Sequence, residues 1–170
     1  EHVHEITDSL VNVDEAMKMG YNWDSGPFEL IDKLGVDYFI ARLQKDGAAI
    51  PAFLQKAAGR SFYRTHEGKL QFLNKEGAYE NIQRPEGVLL LSDIKRASKP
   101  VADFSHNKPF FGKMGAKIWD IGDGVLCLEF ASKGNALDFY TMKAINKARD
   151  LVESGKSKAR VIHNEEKNFS

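Results

Sequence analysis

The chain carries one cysteine, Cys127, so it has no internal disulfide, and the expectation is a protein of a reducing compartment, here the cytoplasm. No apolar run reaches the length of a membrane span, and no signal peptide precedes the first helical segment. Charge of one sign is also missing: 24 basic residues balance 24 acidic ones, with the basic residues scattered rather than striped. A chain without a net field has little to attract nucleic acid or an anionic membrane, and neither is expected as a partner. Histidines are few and dispersed. His2, His4, His66, His106 and His163, with a single cysteine, do not supply a zinc ligand set, and no metal is expected. Cys127 itself lies in the apolar run Val125 to Phe130, with no nearby cation to lower its pKa, and reads as a core residue. There is no internal repeat and no low-complexity tract.

What is present divides by period. From Glu1 to about Ala58 the apolar residues recur at helical spacing: Val3, Ile6 and Leu10, then Val13, Ala16 and Met17, then Leu30, Ile31 and Leu34, then Phe39, Ile40 and Leu43. Gly20, Gly35 and Gly47 fall between these faces as stops, and a last helix is expected over Ala48 to Ala58. At Ser61 the pattern becomes that of strands. Phe62 to Thr65, a turn at Glu67, Gly68 and Lys69, and Leu70 to Leu73 make a hairpin, with a third short strand at Gly77 to Glu80. An isolated hairpin is marginal and must lean on the helices before it. Val88 to Leu91 is a brief apolar run before a short helix ending at Ala97. Lys99 to Gly115, with Pro100 and Pro109, reads as a connector in which Phe110 and Phe111 dock somewhere. From Ala116 a hairpin turns at Gly122, Asp123 and Gly124. A helix over Leu137 to Val152 and a strand over Ala159 to His163 follow, an order that favours a parallel strand pair. The expected class is α+β: a small all-α unit with a hairpin over 1–98, a connector over 99–115, and a hairpin, helix and strand piece over 116–170.

The most specific stretch runs from Gly20 to Gly35. Ser25 or Gly26 suits an N-cap, Pro27 the first turn, and Glu29 and Asp32 the positive end of a helix that Gly35 stops. The segment from Asp14 to Gly35, with Trp23, Gly26, Pro27, Phe28, Glu29 and Asp32 as its motif, resembles the C-terminal helical domain of 3-hydroxyacyl-CoA dehydrogenases. A second segment, Ile121 to Phe130 followed by Lys133, Gly134, Asn135, Ala136 and Leu137, resembles the opening hairpin and first helix of an enoyl-CoA hydratase (crotonase) domain. In this order the two are similar to bacterial fusions in which a dehydrogenase precedes a hydratase, enzymes of fatty-acid β-oxidation. Such enzymes carry two copies of the helical unit, and the one next to the hydratase, which this one resembles by position, is chiefly a packing partner.

That resemblance implies NAD and a CoA thioester in the intact enzyme, together with an N-terminal NAD-binding domain and the rest of a hydratase domain as partners. A dinucleotide loop needs close-spaced glycines between a strand and a helix, and no stretch here has that form, so neither NAD nor any other cofactor is expected on this chain itself. No catalytic residue is expected either: in the hydratase family one oxyanion donor follows the strand that ends near Phe169 and Ser170, and the carboxylates lie further on. The surviving element is the turn Lys133, Asn135, Ala136 and Leu137, implied to line the CoA pocket; Gly134 makes it looser than the family pattern. Asp24, Glu29 and Asp32 read from the residues alone as helix-end charges on a solvated surface. Both chain ends look like cuts, so a middle slice is expected, inactive alone, whose open strand edges could pair with a second copy. The alternative is a self-standing scaffold or CoA-ester-binding module; a small hydratase using His163 with Glu165 or Glu166 is a third, weaker reading.

Overall fold

The structure is a computed structural model and describes residues 2–110 and 112–164. It divides into two compact units, Glu1–Glu86 and Gly87–Ser170.

The first unit opens with α1 (Val3–Ile6) and α2 (Leu10–Tyr21), which are separate helices because Thr7 takes an extended conformation between them. Ser9 caps α2, its Oγ accepting from Val11 N at 3.2 Å, and Asn22 ends it in the left-handed region. Then come α3 (Pro27–Leu34), α4 (Val36–Lys45) and α5 (Ala52–Lys56). Gly35, with φ of 92°, lies between α3 and α4 and lets one start where the other stops. The helix expected over Ala48 to Ala58 is shortened to α5, because Pro51 has no N–H for an earlier turn and takes the N-cap position itself.

Strands β1 (Tyr63–His66), β2 (Lys69–Leu73) and β3 (Tyr79–Asn81) form an antiparallel sheet in that order, so the expected third strand is present. Phe62, just before β1, and Leu73 of β2 are fully buried and pack with Leu10, Phe28, Val36, Leu54 and Ala57, so the sheet closes the core left open by the helices. Phe28 and Phe62 meet edge to face at 4.8 Å between ring centres, and Phe53 leans on both.

The second unit holds α6 (Leu91–Ala97), β4 (Ala102–Asp103), β5 (His106–Lys108), β6 (Gly112–Met114), β7 (Ala116–Asp120), β8 (Val125–Phe130), α7 (Phe139–Glu153) and β9 (Ala159–Ile162). Its main sheet has the order β4, β7, β8, β9, antiparallel except for the parallel pair β8 and β9. That parallel pair is the one expected from the strand, helix, strand order: α7 is the crossover and packs Ala144 and Ala148 on Ile118, Leu126, Leu128 and Phe130.

Two segments differ from expectation. Residues 99–115 are no loose connector: β4 pairs with β7, and β5 and β6 form their own hairpin. Residues 87–98 go with the second unit rather than the first, because Leu91 of α6 is buried with Trp119 and Cys127. The two- and three-residue strands involved are too short to show an alternating pattern in sequence. Cys127 is buried, as its apolar setting implied. Among the described residues no helix is long and apolar enough to cross a membrane, and no group of three or more His, Cys, Asp or Glu side chains gathers as a metal site.

Candidate functional site

In the first unit the motif residues converge on one buried junction. Gly26 has no side chain to cap α3, yet the first-turn N–H groups are satisfied: Asp14, from the middle of α2, accepts from Phe28 N at 2.9 Å and from Glu29 N at 3.1 Å. Those are the bonds an N-cap Ser or Asp would make, delivered here by a neighbouring helix. Glu29 completes the start of the helix by accepting from Gly26 N at 2.9 Å. The close approach explains the glycine. A Cβ built on Gly26 would lie 2.3 Å from Asp14 Cβ, although its φ of −72° is open to any residue.

Asp14 is fully buried and takes a third bond, from Tyr63 Oη at 2.8 Å, which ties α2 and α3 to β1. Burial pushes the Asp14 carboxyl above the ordinary carboxylate range despite the three donors, and the same burial together with Asp14 pushes the Tyr63 phenol strongly upward. Asp32 sits one turn after Phe28 and accepts from Phe62 N and Tyr63 N, each at 2.7 Å; burial raises it as well. Glu29 behaves differently. Burial would raise its carboxyl, but Lys18 at 2.8 Å and the Gly26 N–H hold it below the usual range. Glu29 and Asp32 are therefore not merely solvated helix-end charges, which corrects the reading from sequence: each is spent on a defined backbone donor. Trp23 stands apart, half-exposed with its ring 6.4 Å from that of Tyr21. The chemistry available at this junction is structural. Asp14 is screened from solvent and the Tyr63 hydroxyl is spent on it, so neither is offered to a ligand.

Sequence reasoning did not single out Asp14. The available signal was a carboxylate four residues after Leu10, on the apolar face of α2.

In the second unit the turn after β8 carries the other candidate residues. Lys133–Asn135 is a single 3-10 turn in which Gly134 and Asn135 have φ of 63° and 56°. Ser132 Oγ donates to Ala136 O at 2.6 Å and clamps it. Lys133 and Leu137 are exposed and free to touch a ligand, whereas the Asn135 side chain is buried and serves the shape of the turn. Asp138 then caps α7, accepting from Tyr140 N and Thr141 N at 2.8 Å, and from Gly115 N at 2.7 Å. Burial would raise Asp138, but these donors together hold it below the ordinary range. Gly115 is required at that contact: φ is 85° and an added Cβ would lie 2.1 Å from Phe104 O. Glu165, Glu166, Phe169 and Ser170, on which the oxyanion donor and the hydratase pairing with His163 depend, lie outside the described residues.

The fold and junction thus define a helical unit closed by a small antiparallel sheet, followed by a mixed sheet under one long helix. A protein of Bacillus subtilis (strain 168), "Probable 3-hydroxyacyl-CoA dehydrogenase", is 30% identical to this chain over 172 residues. The match takes in 99% of this chain and 20% of that protein, so the chain spans about a fifth of the length of the curated relative it matches. No family profile matches the chain, and no solved structure does.

Proposed function

We propose that this chain is a central, non-catalytic segment of a 3-hydroxyacyl-CoA dehydrogenase of fatty-acid β-oxidation, fused to an enoyl-CoA hydratase, with the first unit acting as a packing partner. The observation that carries this reading is the extent of the likeness to the Bacillus subtilis protein. It runs through both units in one order, so a single longer polypeptide holds the same arrangement. The buried Asp14 junction supports a scaffolding role, since every acid in the motif that is buried is already occupied by a backbone donor.

The residues present do not fit NAD. The closest glycine spacing, Gly122 and Gly124, lies in the turn between β7 and β8 and opens no helix, so no nucleotide phosphate meets a helix N-terminus there. A CoA thioester fits better. Lys133 would face its anionic part and Leu137 its apolar part, with Asn135 and Ala136 shaping the turn between them. Strand β9 is the last in its sheet and all four of its residues are exposed, Ile162 by 57%. In the whole enzyme that edge would be covered by the remainder of the hydratase domain, and in the isolated segment by a second copy.

The test is NADH formation from 3-hydroxybutyryl-CoA, followed by absorbance, for the 170-residue protein and for the polypeptide of the whole reading frame. Turnover is expected only from the longer polypeptide. Turnover by the segment alone, or a reading frame that encodes no dinucleotide-binding domain, would sink the proposal and favour a self-standing module.

A further inference from the structure

The second unit exposes apolar side chains set among lysines, residues that the junction and the sheet leave idle. Phe110, in the turn between β5 and β6, is 96% exposed. Phe139 and Met142, in the first turn of α7, stand in solvent as well. The hairpin leans on the start of α7: the His106 ring meets that of Tyr140 at 4.1 Å in a tilted contact. Phe139 in turn meets Tyr140 at 5.5 Å.

The basic groups on this surface are all lysines. Lys108 reaches the Tyr140 ring from the hairpin and Lys143 covers Phe139 at 4.5 Å, while Lys113 is exposed on the other strand of the hairpin. Register places Lys108 opposite Gly112 and Lys113 opposite Asn107, so the two lysines flank the tip from opposite faces of the hairpin. None of the three makes an ion pair among the described residues. Asp138 lies beside them as an anion, its carboxyl held below the ordinary range by backbone N–H groups, so among the described residues the lysines of this patch outnumber rather than exclude negative charge. A net charge of zero for the chain conceals this local excess.

We infer that this surface docks on an anionic lipid bilayer, with Phe110 and its apolar neighbours entering the headgroup boundary and the lysines meeting lipid phosphates. Three features favour a bilayer over a nucleic acid or an acidic protein. The apolar groups project rather than line a groove, so they suit a soft surface that closes around them. The cations are lysines, point charges on flexible stems that reach around a buried ring, and arginine forks suited to paired phosphate contacts are absent from the patch. Methionine among the rings has no stacking role toward bases but gains from burial in acyl chains. Each lysine near an anionic surface raises partitioning about fivefold, and partial burial of one phenylalanine about tenfold.

Co-sedimentation of the 170-residue protein with phosphatidylcholine vesicles, with and without phosphatidylglycerol, tests the inference. Binding is expected to the anionic vesicles and to weaken in high salt. Phe110→Ser should lower it about tenfold, and K108Q with K113Q about twentyfold. Lys156→Gln, beyond the far end of α7, should leave it unchanged. Circular dichroism in the aromatic region keeps folding in view, since Phe110 has no core contact to lose. Absence of vesicle binding overturns the inference, as does binding that neutral vesicles match or that Phe110→Ser leaves intact. Binding to heparin or coenzyme A without binding to vesicles also overturns it, and would assign the lysines to a soluble polyanion.

Discussion

Replacing Asp14 by alanine should destabilise the first unit far more than any exposed acid could. The substitution strips the acceptor from Phe28 N, Glu29 N and Tyr63 Oη at a position with no solvent exposure, so water cannot take its place. Each buried donor left unpaired costs about 1 kcal/mol or more, which sums to roughly 3 to 4 kcal/mol. At about 0.1 kcal/mol per residue, a unit the size of Glu1–Glu86 holds on the order of 9 kcal/mol, so a third or more of its stability goes. The chain offers a separate reporter in each unit, Trp23 in the first and the buried Trp119 in the second. In urea, with a slope of about 1 kcal/mol per molar, the Trp23 transition should fall by about 3 M. Tyr63→Phe, which removes one donor, should cost about 1 kcal/mol, and Asp24→Ala on the exposed loop less than about 0.5 kcal/mol. A shift for Asp14→Ala no larger than that of Asp24→Ala would refute the capping of α3 by α2.

Two glycine substitutions should have opposite signs. Gly26→Ala drives a Cβ into Asp14 and should cost about 3 kcal/mol or more, whereas Gly20→Ala, with open space around it in α2, should add about 0.5 to 1 kcal/mol; thermal melts of the two variants decide. In the second unit Asp103 and Asp138 are held below the ordinary carboxylate range. Their contribution is present above the unfolded pKa near 4 and is lost as pH falls through the lower folded values. Acid titration of Trp119 fluorescence should show that loss, and Asp138→Asn should flatten it while costing about 1 kcal/mol at neutral pH. In the first unit Asp14 and Asp32 are raised instead, so their ionisation opposes folding as pH rises past the ordinary carboxylate range and outweighs the opposite contribution of the single lowered acid there, Glu29. The Trp23 transition should accordingly be less acid-sensitive than that of Trp119; equal sensitivity would contradict the opposed shifts.

Much of the fold was legible where a signal is local. The strand period after Ser61, the Gly122 to Gly124 hairpin turn and the long amphipathic helix before β9 each depend on neighbours within a few residues, and each is present. The start of α3 was legible too, down to Pro27 in its first turn. What sits on that start was not. Asp14 lies 14 residues before Phe28, and Asp32 lies 30 residues before the N–H it accepts from. Nothing in a linear pattern announces that two helices approach closely enough to exclude a methyl group. The same holds for 99–115, where prolines and very short strands look like linker until β7 supplies a partner. The turn at Lys133 was visible as a candidate, but the division between exposed Lys133 and Leu137 and buried Asn135 emerges only from the fold.

The capping of one helix by the side chain of another has a kinetic corollary. A peptide spanning only Ser25 to Gly35 lacks the acceptor its opening turn requires and should stay largely coil in water, because so short a helix cannot nucleate unaided. Its winding is then contingent on α2 having already arrived, so the order of assembly is written into a single carboxylate, and any chaperone or ribosome-bound intermediate exposing this region would present it unstructured until that encounter.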